Sequence, residues 1–110
     1  MPFTFVSLIN AQYAPSSAAV MAQAPAATRI DALTVTNTDT VPQTISINLV
    51  PSGISPSAAN QTTVAQCIPP GQTWVSPNEA GKVLAPSDAI YVLASAASKL
   101  VISCSGTASS

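Results

Sequence analysis

Histidine is absent and charge is scarce. Of 110 residues only three are Lys or Arg and four are Asp or Glu, giving 6% charged residues and a formal net charge of -1; ordinary globular domains carry about 25%. The charged residues are Arg29, Asp31, Asp39, Glu79, Lys82, Asp88 and Lys99. Scattered cations in such numbers cannot build the basic footprint that neutralises several phosphates, so no nucleic-acid partner is expected. Without His, proton transfer or nucleophilic attack would fall to carboxylates, Lys, Tyr or Cys, and acids separated by 8, 40 and 9 positions form no evident pair. There is no phosphate loop or nucleophile elbow, and two Cys without His cannot complete a tetrahedral zinc shell in one chain. The expectation is no catalysis, no metal and no cofactor.

Long apolar runs are missing too. No window reaches the roughly 18–20 residues of a membrane span, and the Ala-rich stretch from Ala18 to Ala27 is broken by Gln23 and stopped by Pro25. No membrane partner is expected. The first cation is Arg29, so the basic start of a secretory signal is not seen, and the chain is expected to be made and used without export. Disorder is disfavoured, because 47% of residues are hydrophobic and mean hydropathy is +0.40, the reverse of the disordered signature. Surface scaling gives roughly 5,700 Å² accessible when folded against roughly 16,000 Å² unfolded, enough burial for one modest core. A surface with so little charge also lacks the repulsion that keeps proteins apart.

What is present is a series of short strand signals separated by turn residues. Residues 3–9 mix β-branched and aromatic residues, residues 18–24 read as a second strand, and Leu33 and Val35 alternate with Thr34 and Thr36. Residues 43–50 place Ile45, Ile47 and Leu49 opposite Thr44, Ser46 and Asn48, a strand with one wet face. It is expected to pair with the strand at 29–37. Further strands are expected at 62–68, 72–76, 89–94 and 99–105, the last two as a hairpin, while 83–85 is too short to assign. Ten prolines mark strand ends and edges. The pattern predicts an all-β fold, a single antiparallel β-sandwich or small jelly roll of about eight strands. Residues 1–27 form a terminal strand or arm segment, and residues 28–110 the sandwich body.

Candidate functional residues follow from residue class. Phe3 and Phe5 either cap the sandwich or pack on a neighbouring subunit. Trp74, just past the Pro69-Pro70-Gly71 turn, is an interface-anchor type or an edge-of-core residue, and Tyr13 completes the candidate contact set. Cys67 and Cys104 read as reduced core thiols, since free Cys is among the most buried residue types, or as a disulfide in an oxidising compartment. Asp88 reads as a turn carboxylate accepting local N–H groups. Glu79, Lys82, Asp31 and Arg29 read as solvated or subunit-contacting charges.

From Arg29 onward the chain resembles small virion proteins of tailed bacteriophages. The matching stretches are Ile30-Asp31-Ala32-Leu33-Thr34-Val35-Thr36-Asn37-Thr38, Asn48-Leu49-Val50-Pro51-Ser52-Gly53, Ile68-Pro69-Pro70-Gly71-Gln72-Thr73 and Val83-Leu84-Ala85-Pro86-Ser87-Asp88, covering roughly residues 28–107. Related sequences often carry Gly where this one has Ser87. The resemblance implies a capsid-decoration or cement subunit that binds the major capsid protein, self-associates with a trimer slightly favoured over a dimer, and resides in the virion after assembly in the host cytoplasm. The alternatives are a tail, collar or fibre component of the same virion, and a carbohydrate-binding sandwich, which would need exposed aromatics.

Overall fold

In the computed structural model, which describes residues 3–17 and 19–109 and omits the side chains of Phe3 and Ser109, nine strands follow one another. They are β1 (Phe3–Tyr13), β2 (Ala19–Gln23), β3 (Thr28–Asn37), β4 (Gln43–Val50), β5 (Gln61–Ile68), β6 (Thr73–Val75), β7 (Val83–Leu84), β8 (Ala89–Ala94) and β9 (Leu100–Ser109). A 3₁₀ turn at Ala58–Asn60 precedes β5. Two antiparallel sheets face each other. One has the order β1-β9-β3-β6, with β7 also on β3, and the other β2-β8-β4-β5.

The pairing is nested. β1 pairs β9, β2 pairs β8, β3 pairs β6 and β7, and β4 pairs β5. The chain is thus one long antiparallel hairpin, closed at the 51–60 loop and rolled up so that β9 meets β3 and β8 meets β4. That is the jelly-roll arrangement of two Greek keys, with its sixth strand split into β6 and β7. Ile9, Ile30, Leu33, Val35, Ile45, Ile47, Ile68, Ile90, Val92, Leu100 and Ile102 fill the space between the sheets and are all at most 1% exposed.

Two expectations need correction. β3 and β4 are not a pair, and β8 and β9 are not a hairpin, because each couple lies in opposite sheets. Five-residue links, 38–42 and 95–99, span the roughly 10 Å between packed sheets as readily as they reverse a chain within one sheet. Asn37 fixes the first crossing: its buried side chain donates to the carbonyls of Val41 and Ile68, each at 2.9 Å, and accepts the N–H of Asp39 at 2.8 Å. Within the terminal strand or arm segment, β1 and β2 supply one edge strand to each sheet.

Ser87 occupies a left-handed conformation (φ 72°). Pro86 precedes it and Asp88 N–H donates to Ala85 C=O at 3.0 Å, the features of a type II turn, whose third residue favours Gly. The turns at Pro69–Gln72 and Glu79–Lys82 place Gly71 and Gly81 at that position. Relief of left-handed strain outweighs the added flexibility of glycine in the unfolded chain. Ser87→Gly is therefore expected to stabilise the fold by about 0.5–1 kcal/mol, read as a Tm rise of about 2–6 °C. An unchanged or lower Tm would contradict this reading.

Candidate assembly surfaces

Alternation sends the residues between the core positions outward, and the two outer faces differ. On the larger sheet, register aligns Phe5 with Thr107 and Arg29, and Tyr13 with Val101 and Thr36. Thr34 and Ser103 share a 2.8 Å hydrogen bond, as do Thr36 and Thr73. Arg29 Nε donates to Asp31 at 2.9 Å, and the Thr107 hydroxyl donates to the other oxygen of Asp31 at 2.7 Å. Thr107 first, and Arg29 second, hold the Asp31 carboxyl below its usual range; the Thr40 N–H and the Gln43 amide do the same for Asp39. Lowered pKa values mean that both contributions to stability are lost as pH falls into the carboxylate range.

β1 is the outer edge of this sheet. It has no charged residue and no Pro over its length, and two register shifts, between Ser7 and Ile9 and between Ile9 and Gln12, interrupt its pairing with β9. An open cleft of about 290 Å³ lies at these bulges, lined by residues including Ser7, Asn10, Thr34, Ser103 and Ser105. Phe5 is 87% exposed and Tyr13 54% exposed, so two expected contact residues lie along one edge strand. The Phe3 side chain lies outside the described residues. Trp74 is separate from them: it pairs with the inward-facing Val35 and packs half-buried against the core.

The outer face of the smaller sheet contains no charge at all, since β2, β8, β4 and β5 hold none of the charged residues. It exposes Val20, Val64 and Leu93. Cys67 lies there too, a correction to its expected place in the core. The cause is Ala65, whose left-handed backbone (φ 47°) and the register break between Ile45 and Ile47 insert an extra residue in β5. A bulge of this kind flips the facing of everything after it, so Thr63 and Ile68 are buried while Cys67 is exposed.

Both thiols are free. Burial, with lesser contributions from the charges of Glu79 and Asp31, pushes the Cys104 thiol up from 9.0 to about 12. The thiolate is the reactive form, so native alkylation without reductant is expected to modify Cys67 alone and alkylation after unfolding to modify both, read by intact mass. Equal native modification of both thiols, or none after unfolding, would overturn this. The stability that the protonated Cys104 contributes is complete below pH 9.0, and it is lost as pH rises toward 12.

Glu79 departs furthest from its sequence reading. It is fully buried, not solvated. Its carboxylate accepts hydrogen bonds from the hydroxyls of Ser76 and, at 2.7 Å, Thr63, while the Asn78 amide donates to Thr63 Oγ1 at 3.1 Å. The split between β6 and β7 makes this possible, because Ser76 N–H and Gly81 N–H both return to β3 carbonyls and let the residues between turn Glu79 inward. The network joins the larger sheet to β5. Asp88, as expected, accepts backbone N–H groups, those of Ala85 and Ser52, at 3.0 Å each. Among the described residues no three of His, Cys, Asp and Glu come together as a metal site, and no helix is long and apolar enough to cross a membrane.

No family model matches the chain, and no curated protein matches it. A solved chain from Bacillus endospore appendages, described as a novel family of disulfide-linked pili, superposes with a TM-score of 0.58 and 14% identity, covering 96% of this chain and 85% of its own. At that identity the likeness is one of fold.

Proposed function

We propose that the chain is a non-catalytic structural subunit of a large protein assembly, and specifically the capsid-decoration subunit that its sequence motifs suggest. The observation that carries the reading is β1, an uncharged, proline-free edge strand with exposed Phe5 and Tyr13. Soluble proteins ordinarily blunt such an edge with Lys, Pro or a covering segment, and its bulges leave the Phe3–Ser7 stretch regular. An unblunted edge suits addition of a strand from a neighbour. Binding that recognises only the assembled shell stabilises that shell by mass action, and uncharged contacts persist when salt screens charges. Phage shells should therefore melt at higher temperature with the protein than without it, at both low and high salt, and Phe5→Lys should abolish the gain. Equal melting with and without the protein rejects decoration.

A second reading, a fibre or appendage subunit, is favoured by the superposition on the spore-appendage pilus chain. Filaments formed by the purified chain alone in electron micrographs would select it over decoration.

A further inference from the structure

We propose that the outer face of the β2-β8-β4-β5 sheet is a self-association surface that pairs two copies of this chain about a two-fold axis. The face is bare of charge and its exposed apolar residues are contiguous. Val20 pairs with Tyr91 on β8, Leu93 pairs with Ser46 on β4, and Ser46 accepts the Ala65 N–H beside Val64. Val20 is 50%, Leu93 40% and Val64 69% exposed. Thr44 and Asn48 flank them with uncharged polar groups. The charges stand at the rim, where Asp39 meets Lys99 at 3.8 Å and Asp88 ties down the Ala85 turn. An apolar centre with a polar rim is the anatomy of an interface.

The occupant follows from the charge distribution. Residues near a two-fold axis meet their own counterparts, so a charged group there would face its like. This face has none, whereas the opposite outer face carries Arg29 and Asp31. Recognition of a different protein draws its specificity from complementary charge, which these strands do not offer. Four strands about 4.8 Å apart and about six residues long present roughly 400 Å². Two copies would bury about 800 Å² in total, below the standard size and in the range of weak, transient contacts. The dimer is therefore weak and reversible. Its existence does not depend on which assembly the chain joins.

Sedimentation of the full chain from micromolar to millimolar concentration tests this. A monomer–dimer equilibrium is expected, unchanged in high salt. Leu93→Lys and Val64→Lys should each weaken it at least tenfold, and Val75→Lys, on the other outer face, should leave it unaltered, with thermal melts confirming that each variant folds. The native alkylation rate of Cys67 should fall as the dimer populates. A chain that stays monomeric at millimolar concentration overturns the proposal, as does association that Val75→Lys weakens as much as Leu93→Lys. Neither outcome touches the edge-strand reading, which the Phe5→Lys shell-melting experiment decides separately.

Discussion

The Gly106→Ala variant should unfold about 10–15 °C below the parent chain, the equivalent of a loss of about 3 kcal/mol. Gly106 lies in β9, opposite Val6 on one side and Ile30 on the other. A methyl group there would land on the backbone carbonyl oxygen of Arg29, with Leu8 Cδ1 and Thr28 Cγ2 each 3.2 Å away. The carbonyl belongs to the ladder and cannot swing aside like a flexible side chain. The register shift between Ile30 and Ala32 lies directly beside this contact. Close approach, not a special backbone angle, is what requires glycine here. Thermal unfolding checks the effect, with Ser105→Ala, an exposed residue of the same strand, as a control expected within about 0.5 kcal/mol of the parent. A Gly106→Ala variant as stable as that control would show that the strands can part without cost.

Glu79→Ala is the second large effect, a loss of about 2–4 kcal/mol read from urea midpoints. The Ser76 and Thr63 hydroxyls would lose their shared acceptor inside the protein, and unpaired buried donors cost about 1–3 kcal/mol each. The vacated volume adds to the loss. Glu79→Gln should cost less than half as much, because hydroxyls rotate and a side-chain amide still offers one acceptor oxygen of the right shape. If alanine and glutamine prove equally damaging, the network's geometry is not what holds β5 to the loop after β6.

Local alternation was enough to place most strands. β4 and β8 begin and end where the pattern of Ile45, Ile47, Ile90 and Val92 places them, because burial on one face imposes a period of two. Partner choice leaves no such trace, since Thr38–Pro42 and Ser95–Lys99 have the same composition whether they turn back or cross over. The end of β9 was hidden for a related reason: Gly106 weakens a strand by propensity, yet pairing on both sides carries β9 to Ser109. Of the candidate contact residues, Phe5 and Tyr13 lie exposed on β1, a placement that residue class does not dictate. Cys67 was misplaced because a single left-handed Ala65 inverts the alternation, and Glu79 because nothing in its neighbourhood in sequence announces Thr63 as its partner.

The nested pairing also dictates an order of events at the ribosome. Phe3 pairs with Ser109, and the partners of β1 and β2 are β9 and β8, so the segments synthesised first are the ones that wait longest. Ladder formation can begin at β4 and β5, whose connection is the shortest between paired strands, and spread outward toward pairs of ever larger sequence separation, the costly kind of loop closure. Until β9 has left the exit tunnel, each nascent chain carries an uncharged strand whose one partner is not yet in place. Crowded polysomes bring that strand close to identical strands, the circumstance in which unpaired edges associate.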